Sequence, residues 1–159
     1  MQREEYMALA LSLAREAAEN GEVPVGCVIA DADGKVIGRG RNRRQERPDA
    51  TAHAEVEAIR QACAALGDWR LAGCTLYVTL EPCPMCAGAI INARIPRVVY
   101  GTADAKAGSC GTLTDLFALP YNHRPAVTAG VLAEEARELL QAFFKRLREV
   151  PTVKTWKKA

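Results

Sequence analysis

At 159 residues the chain has the length of one domain, and folding would bury about 68–70% of its unfolded surface. Hydrophobic residues make up 49% and charged residues 25%, which excludes a disordered polymer, and no apolar run approaches the roughly 18 residues of a membrane span. The net charge of +2 is small but unevenly spread: Arg39, Arg41, Arg43, Arg44 and Arg47 form one cluster, and Lys145, Arg146, Arg148, Lys154, Lys157 and Lys158 oppose only Glu149. Such clusters are either solvated surface or the footprint of a polyanionic partner.

From Glu4 to about Glu19, the residues Tyr6, Leu9, Leu13 and Ala17 share one helical stripe, ended by Asn20-Gly21. The acidic pair Glu4 and Glu5 and this helical spacing are unlike a secretory leader, so a cytoplasmic location is expected. Val25 to Ala30 reads as a strand, Asp31-Ala32-Asp33-Gly34 as a turn, and Val36-Ile37-Gly38 as the returning strand of a hairpin. Residues 41–50 are polar and predict a loop, followed by a helix from Thr51 or Ala52 to Leu66. Leu76 to Leu80 and Arg97 to Gly101 read as strands flanking a helix from Pro84 to Asn92, with proline suited to its first turn. Residues 102–124 predict a long irregular connection, 126–129 a last strand, and Leu132 to Arg148 an amphipathic helix. Strands alternating with helices after a hairpin predict one mixed sheet covered on both faces.

Chemistry concentrates in Thr51-Ala52-His53-Ala54-Glu55 and in Glu81-Pro82-Cys83-Pro84-Met85-Cys86. With six cysteines and no export signal, reduced thiols, metal ligands or catalysis are expected over disulfides. Cys-x-x-Cys alone fits a redox pair, two core residues, or half of a metal site. His-x-Glu followed by Pro-Cys-x-x-Cys is more specific, being the signature of the zinc nucleobase deaminases. Spacing supplies a reason. Residues two apart on a helix point to nearly opposite sides, so a metal beside the helix could not reach both His53 and Glu55. A metal just beyond the helix's N-terminal end could take His53 and leave Glu55 to reach a water. Cys83 and Cys86 stand in the first turn of their own helix, so two positive helix ends would aim at one spot.

One imidazole and two thiolates suit zinc, and three protein ligands leave the fourth position open, as in catalytic sites. His53, Cys83 and Cys86 are therefore the expected ligands, and Glu55 the expected proton carrier between water, a ring nitrogen and departing ammonia. Cys27, Cys63 and Cys74 read as core, and Cys110 as a candidate exposed thiol. A cysteine filling the fourth position would make the zinc structural and leave Glu55 without a role.

From Tyr6 to about Arg148 the chain resembles the bacterial tRNA-specific adenosine deaminases, which convert adenosine to inosine at the wobble position of an anticodon. The resemblance rests on Glu22-Val23-Pro24-Val25-Gly26, Asn42, the two motifs above, Asp104-Ala105-Lys106-Ala107-Gly108 and Asn122-His123-Arg124. The two central motifs are shared with guanine and cytosine deaminases, whereas the 104–106 and 122–124 segments are similar to the tRNA-acting branch. The resemblance implies a three-layer α/β/α cytidine-deaminase-like fold with a mixed five-stranded sheet, one Zn2+ per subunit, a homodimer and a tRNA anticodon stem-loop as substrate. It also implies that Asn42 hydrogen-bonds a flipped base and that Val25 and Ala54 line its pocket. Asp104 would contact the nucleotide backbone or ribose and Phe144 a neighbouring nucleotide, with Asn122 and His123 also in the substrate-binding set.

By residue type alone, Asn42 and Asp104 serve equally as turn residues, and Phe143 and Phe144 as core. An anticodon loop suits such a site because its bases are already largely unstacked. A free-base deaminase and a non-catalytic RNA-binding protein with structural zinc remain as alternatives. After Phe144 the sequence matches no part of the family pattern. The expected organisation is a deaminase domain over residues 1–150 and a basic tail over 151–159.

Overall fold

Gly26–Ala30 forms a strand, β1, that is buried at every residue, which requires strand neighbours on both edges and packed layers on both faces. The structure, a computed structural model, describes residues 1–149, so the predicted basic tail lies outside the described residues. In chain order the elements are α1 (Arg3–Glu19), β1, β2 (Val36–Arg41), α2 (Ala54–Leu66), β3 (Thr75–Leu80), α3 (Pro84–Asn92), β4 (Arg97–Thr102), β5 (Ala126–Thr128) and α4 (Ala133–Glu149). The five strands lie in the order β2-β1-β3-β4-β5. β1 is antiparallel to both β2 and β3, with Gly26 opposite Arg41 and Cys27 opposite Val78. β3, β4 and β5 run parallel, with Tyr77 beside Val99 and Val99 beside Thr128. The start of β1 and the ends of β2, β3 and β4 therefore share one edge of the sheet.

Alternation along β1 sorts the two faces. Cys27 and Ile29 join Leu76, Val78, Ala58 of α2 and Ile90 of α3 in one core cluster, while Val28 and Ala30 join Tyr6, Met7 and Ala10 of α1 in the other. Tyr6 stacks on Tyr77 with centroids 4.7 Å apart. The result is the expected three-layer α/β/α arrangement.

Helices sit close to the sheet because glycines face them. A Cβ added at Gly26 would stand 1.9 Å from the Ala10 carbonyl oxygen of α1, and one at Gly40 would stand 2.1 Å from that of Ala54 in α2.

Several boundaries differ from expectation. α2 begins at Ala54 rather than Thr51 or Ala52. Asp49 explains this: its Oδ1 accepts from the Thr51 amide at 2.8 Å and the Thr51 hydroxyl at 2.7 Å, a local alternative to helix. β2 continues through Arg41, which the sequence placed in a loop. Leu132 is outside α4, at φ 52. The long connection after β4 is built around a bridge between Cys110 and Asp115 and a turn of 3-10 helix at Leu116–Ala118. Cys110 is buried rather than exposed, and burial, ahead of the nearby Glu81 charge, pushes its thiol up to about 12. Cys27 and Cys74 are buried as expected, but Cys63 is only half-buried, its thiol facing the Trp69 carbonyl.

The glycine contacts generate a test. Gly40→Ala should lower unfolding free energy by about 1–3 kcal/mol in urea titration, the usual range for overpacking. Gly88→Ala, where an added Cβ meets nothing within 4 Å, should leave stability unchanged or raised.

Candidate metal centre

His53 and Cys83 are N-caps of α2 and α3, both with extended backbone (φ −80, ψ 153 and φ −76, ψ 174) and neither making a side-chain capping bond. Their side chains instead turn toward each other. His53 Nδ1 lies 3.6 Å from Cys83 Sγ and 3.5 Å from Cys86 Sγ. Among the described residues, the ligand atoms of His53, Cys83 and Cys86 form a group within 4.8 Å of one another that could hold a metal. Zinc bonds of about 2.3 Å to sulfur and 2.0–2.1 Å to nitrogen, at tetrahedral angles, would separate S from N by about 3.6 Å. The donors fit. Among the described residues, no fourth cysteine, histidine or carboxylate belongs to this group.

The local field suits the same use. Hydrogen bonding from Cys86, ahead of that from His53, pulls the Cys83 thiol down to about 4. The bond to Cys83, ahead of burial, pushes Cys86 up. The Cys83 partner also raises the His53 pKa. Glu55, in the first turn of α2, is 4% exposed. Burial is the main cause that raises its carboxyl to about 7, with the Cys83 charge adding to it. Burial and a neighbouring charge thus set this carboxyl apart from ordinary surface acids.

These groups open on a cavity of about 560 Å³ at the shared edge of the sheet, within the size range of small-molecule sites. It lies outside the carboxyl ends of β3 and β4, the usual position for a ligand in an α/β sheet. His53, Glu55, Cys83 and Glu81 line it, as do Leu140 and Phe144 of α4.

The MafB19-like deaminase family profile matches residues 1–148. The tRNA-specific adenosine deaminase of Bacillus subtilis is 49% identical over 149 residues, covering 93% of this chain and 92% of that protein. The chain belongs to the tRNA-specific adenosine deaminase family. A solved structure from a study of A-to-I editing by tRNA:A34 deaminases at the wobble position superposes with a TM-score of 0.84 at 50% identity, covering 87% of this chain and 100% of that one. A tRNA(Ile)-lysidine synthase of Deinococcus radiodurans is 53% identical over 142 residues, covering 89% of this chain, which spans only 24% of that longer relative.

Of the residues the family resemblance singled out, Val25, Asn42, Ala54, Asp104 and Phe144 all line the cavity. Asn42 Nδ2 donates to the Val23 carbonyl at 3.4 Å, while its Oδ1 is buried with no hydrogen-bond partner among the described residues. An unpaired buried acceptor costs about 1–3 kcal/mol, so Oδ1 is suited to an N–H donor on a ligand. Asp104 also serves its own turn, Oδ1 accepting from the Lys106 and Ala107 amides at 2.9 and 3.2 Å. Phe144 is 38% exposed and meets Phe143 edge-on at 5.5 Å, so it belongs to the cavity wall rather than the core.

Asn122 and His123 do not line the cavity. His123 Nε2 lies 2.7 Å from the Ile95 carbonyl, at the opposite end of β4. Val23, Glu81 and Lys106, which stand in the quoted motifs without an assigned role, and Arg44, named only in the basic cluster, also line the cavity, as does Leu140. Arg44 was legible by its place two residues after Asn42, but Leu140 reaches the site from a distant helix and carried no local signal.

Cys83→Ser, Cys86→Ser and His53→Ala should each reduce bound zinc from one per chain to well below one, read by elemental analysis of purified protein. Cobalt substituted in the parent protein should show thiolate charge-transfer bands that weaken in either serine variant.

Proposed function

We propose that the chain catalyses zinc-dependent hydrolytic deamination of adenosine to inosine at the wobble position of a tRNA anticodon, working as a cytoplasmic homodimer. The observation that carries the chemistry is three ligand atoms at zinc spacing beside a buried glutamate, all on one cavity. The identity shared with tRNA-specific adenosine deaminases over nearly the whole chain supports the choice of substrate. The exposed apolar side chains Leu113, Leu119 and Tyr121 are suited to a partner subunit. No helix among the described residues is long and apolar enough to cross a membrane.

His53, Cys83 and Cys86 would hold the ion, which when bound lowers the pKa of water from 15.7 to about 7 and so makes hydroxide available at neutral pH. Asn42 Oδ1 accepts an N–H of the base and orients it, while Val25 and Ala54 bound the pocket and exclude bulk water. The Glu55 carboxylate takes a proton from water and delivers it to N1 of the adenine. As the water oxygen bonds to C6, the Glu55 carboxylate collects its second proton and passes it to the 6-amino group, so that the C6–N bond breaks, ammonia leaves and the C6 carbonyl forms. Water is consumed, and adenosine becomes inosine. Asp104 and Lys106 meet the ribose and phosphates of the loop. Asn122 and His123, outside the cavity, meet RNA away from the target base. Loop nucleotides suit the cavity because extruding an already unstacked base takes little energy.

Purified protein incubated with an anticodon stem-loop carrying A at the wobble position should yield inosine, read as A-to-G change by sequencing. Turnover of free guanine or cytosine with an inert stem-loop would instead reject the RNA reading. Glu55→Ala should keep zinc and fold while kcat falls at least about 10²–10⁴-fold; undiminished turnover would remove Glu55 from the mechanism. Asp104→Asn keeps an oxygen for the local turn but loses the charge, and should raise KM for the stem-loop about tenfold. Zinc content should not change.

A further inference from the structure

Glu81 is 1% exposed, yet it is neither a candidate ligand nor the proton carrier. Its backbone N–H donates to the Thr102 carbonyl at 2.9 Å, tying the end of β3 to the end of β4. Its side chain reaches further. Oε1 accepts from the Asp104 amide at 3.1 Å and from the Thr112 hydroxyl. Oε2 accepts from the amides of Cys110 at 3.0 Å and Thr112 at 3.1 Å. Next along the chain, the Pro82 carbonyl accepts from the Ser109 amide at 3.0 Å. The segment 104–112 thus wraps around one carboxylate.

Gly108 is what lets it close. A Cβ there would stand 2.5 Å from Glu81 Oε1 and 2.6 Å from its Cδ. The wrapped segment supplies Asp104, Ala105, Lys106 and Ala107 to the cavity wall, and Cys83 follows Glu81 by two residues. One short stretch of chain therefore joins a metal ligand to the wall facing it.

We propose that Glu81 is a positioning residue for substrate capture: its carboxylate holds the Asp104–Ala107 wall in place over the site, and RNA binding depends on that wall. The RNA part rests on the functional reading above. Only a carboxylate serves. Four donors converge on two oxygens, and a carboxylate offers acceptors alone, whereas the amide of glutamine would turn an N–H2 toward donors and leave buried N–H groups unpaired. Metal retention does not depend on these bonds, because the three ligands come from the starts of α2 and α3.

Glu81→Gln separates positioning from a general structural role. Hydrogen exchange should accelerate by about tenfold or more at the amides that face the new N–H2, either that of Asp104 or those of Cys110 and Thr112, since these lose a buried acceptor. Zinc should stay at one per chain, and KM for the stem-loop should rise by a factor at least about ten times larger than any fall in kcat, the signature of lost binding rather than lost chemistry. Gly108→Ala approaches the same contact from the loop side and should give the same KM signature. The double variant should be little worse than either single one, as for residues in direct contact. Should Glu81→Gln fail to fold, Gly108→Ala and Thr112→Val carry the test through the same readouts.

Unchanged amide exchange, or an unchanged KM with loosened amides, would overturn the proposal; so would zinc loss accompanying the KM change. If the parent protein is inert on the stem-loop, the functional reading fails and the RNA part of the proposal falls with it. Amide exchange would still decide on its own whether Glu81 holds the wall.

Discussion

The N-terminal ends of α2 and α3 meet, and neither side chain at the cap position makes a capping bond. Each helix end carries unpaired N–H groups and roughly half a positive charge, so their meeting favours anionic sulfur and discourages a second cation unless thiolates compensate it. Ordinary caps such as serine or aspartate would stabilise the helices by about 1 kcal/mol each but would spend the side chain on the backbone. His53 and Cys83 forgo that bond and point outward. Everything else in the fold serves to keep those two ends 3.5 to 3.6 Å apart at their donor atoms.

Two contacts with the sheet do this. α2 lies against β2 so closely that Gly40 has no room for a Cβ beside Ala54, the residue after His53. α3 begins four residues after β3 ends, with Pro84 at its first position, so Cys83 is placed by the strand almost directly. β2 and β3 flank β1 on either side. The donor triangle is thereby held by strands rather than by loops, which suits a site needing sub-ångström positions.

The walls of the cavity follow a second rule, a buried acid accepting backbone N–H groups. Glu22 accepts from the Gln45 amide at 2.9 Å and from the Glu46 amide, at 2.6 Å, and so fixes the loop that carries Asn42 and Arg44. Glu81 does the same for the opposite wall. Burial alone would raise the Glu81 carboxyl, but the Thr112 hydroxyl and the amides of Asp104, Cys110 and Thr112 outweigh it and hold the carboxyl below its usual value. The basic cluster behind the first wall is less free than its composition suggests. Arg41 is buried and paired with Glu46 at 3.0 Å and Glu16 at 3.6 Å, and Arg43, Arg47 and Arg60 surround Glu57.

The sequence by itself determined the element order, the mixed sheet and the set His53, Glu55, Cys83 and Cys86, because each of these is written in short spacings: period two in strands, period near four in helices, two residues between thiols. It also placed Asn42, Asp104 and Phe144 at the site through family resemblance. It could not place His53 at a cap rather than within the helix, since Asp49 redirects the backbone there through its own side chain. Nor could it show that Cys110 is buried, that His123 faces the far end of β4, or that Glu22 and Glu81 are clamps. Those facts depend on partners 23 to 31 positions away in the chain, such as Gln45 for Glu22 and Thr112 for Glu81. Only tertiary structure decides them, because a carboxylate's acceptors are satisfied by whichever amides folding brings near, and no local pattern records that choice.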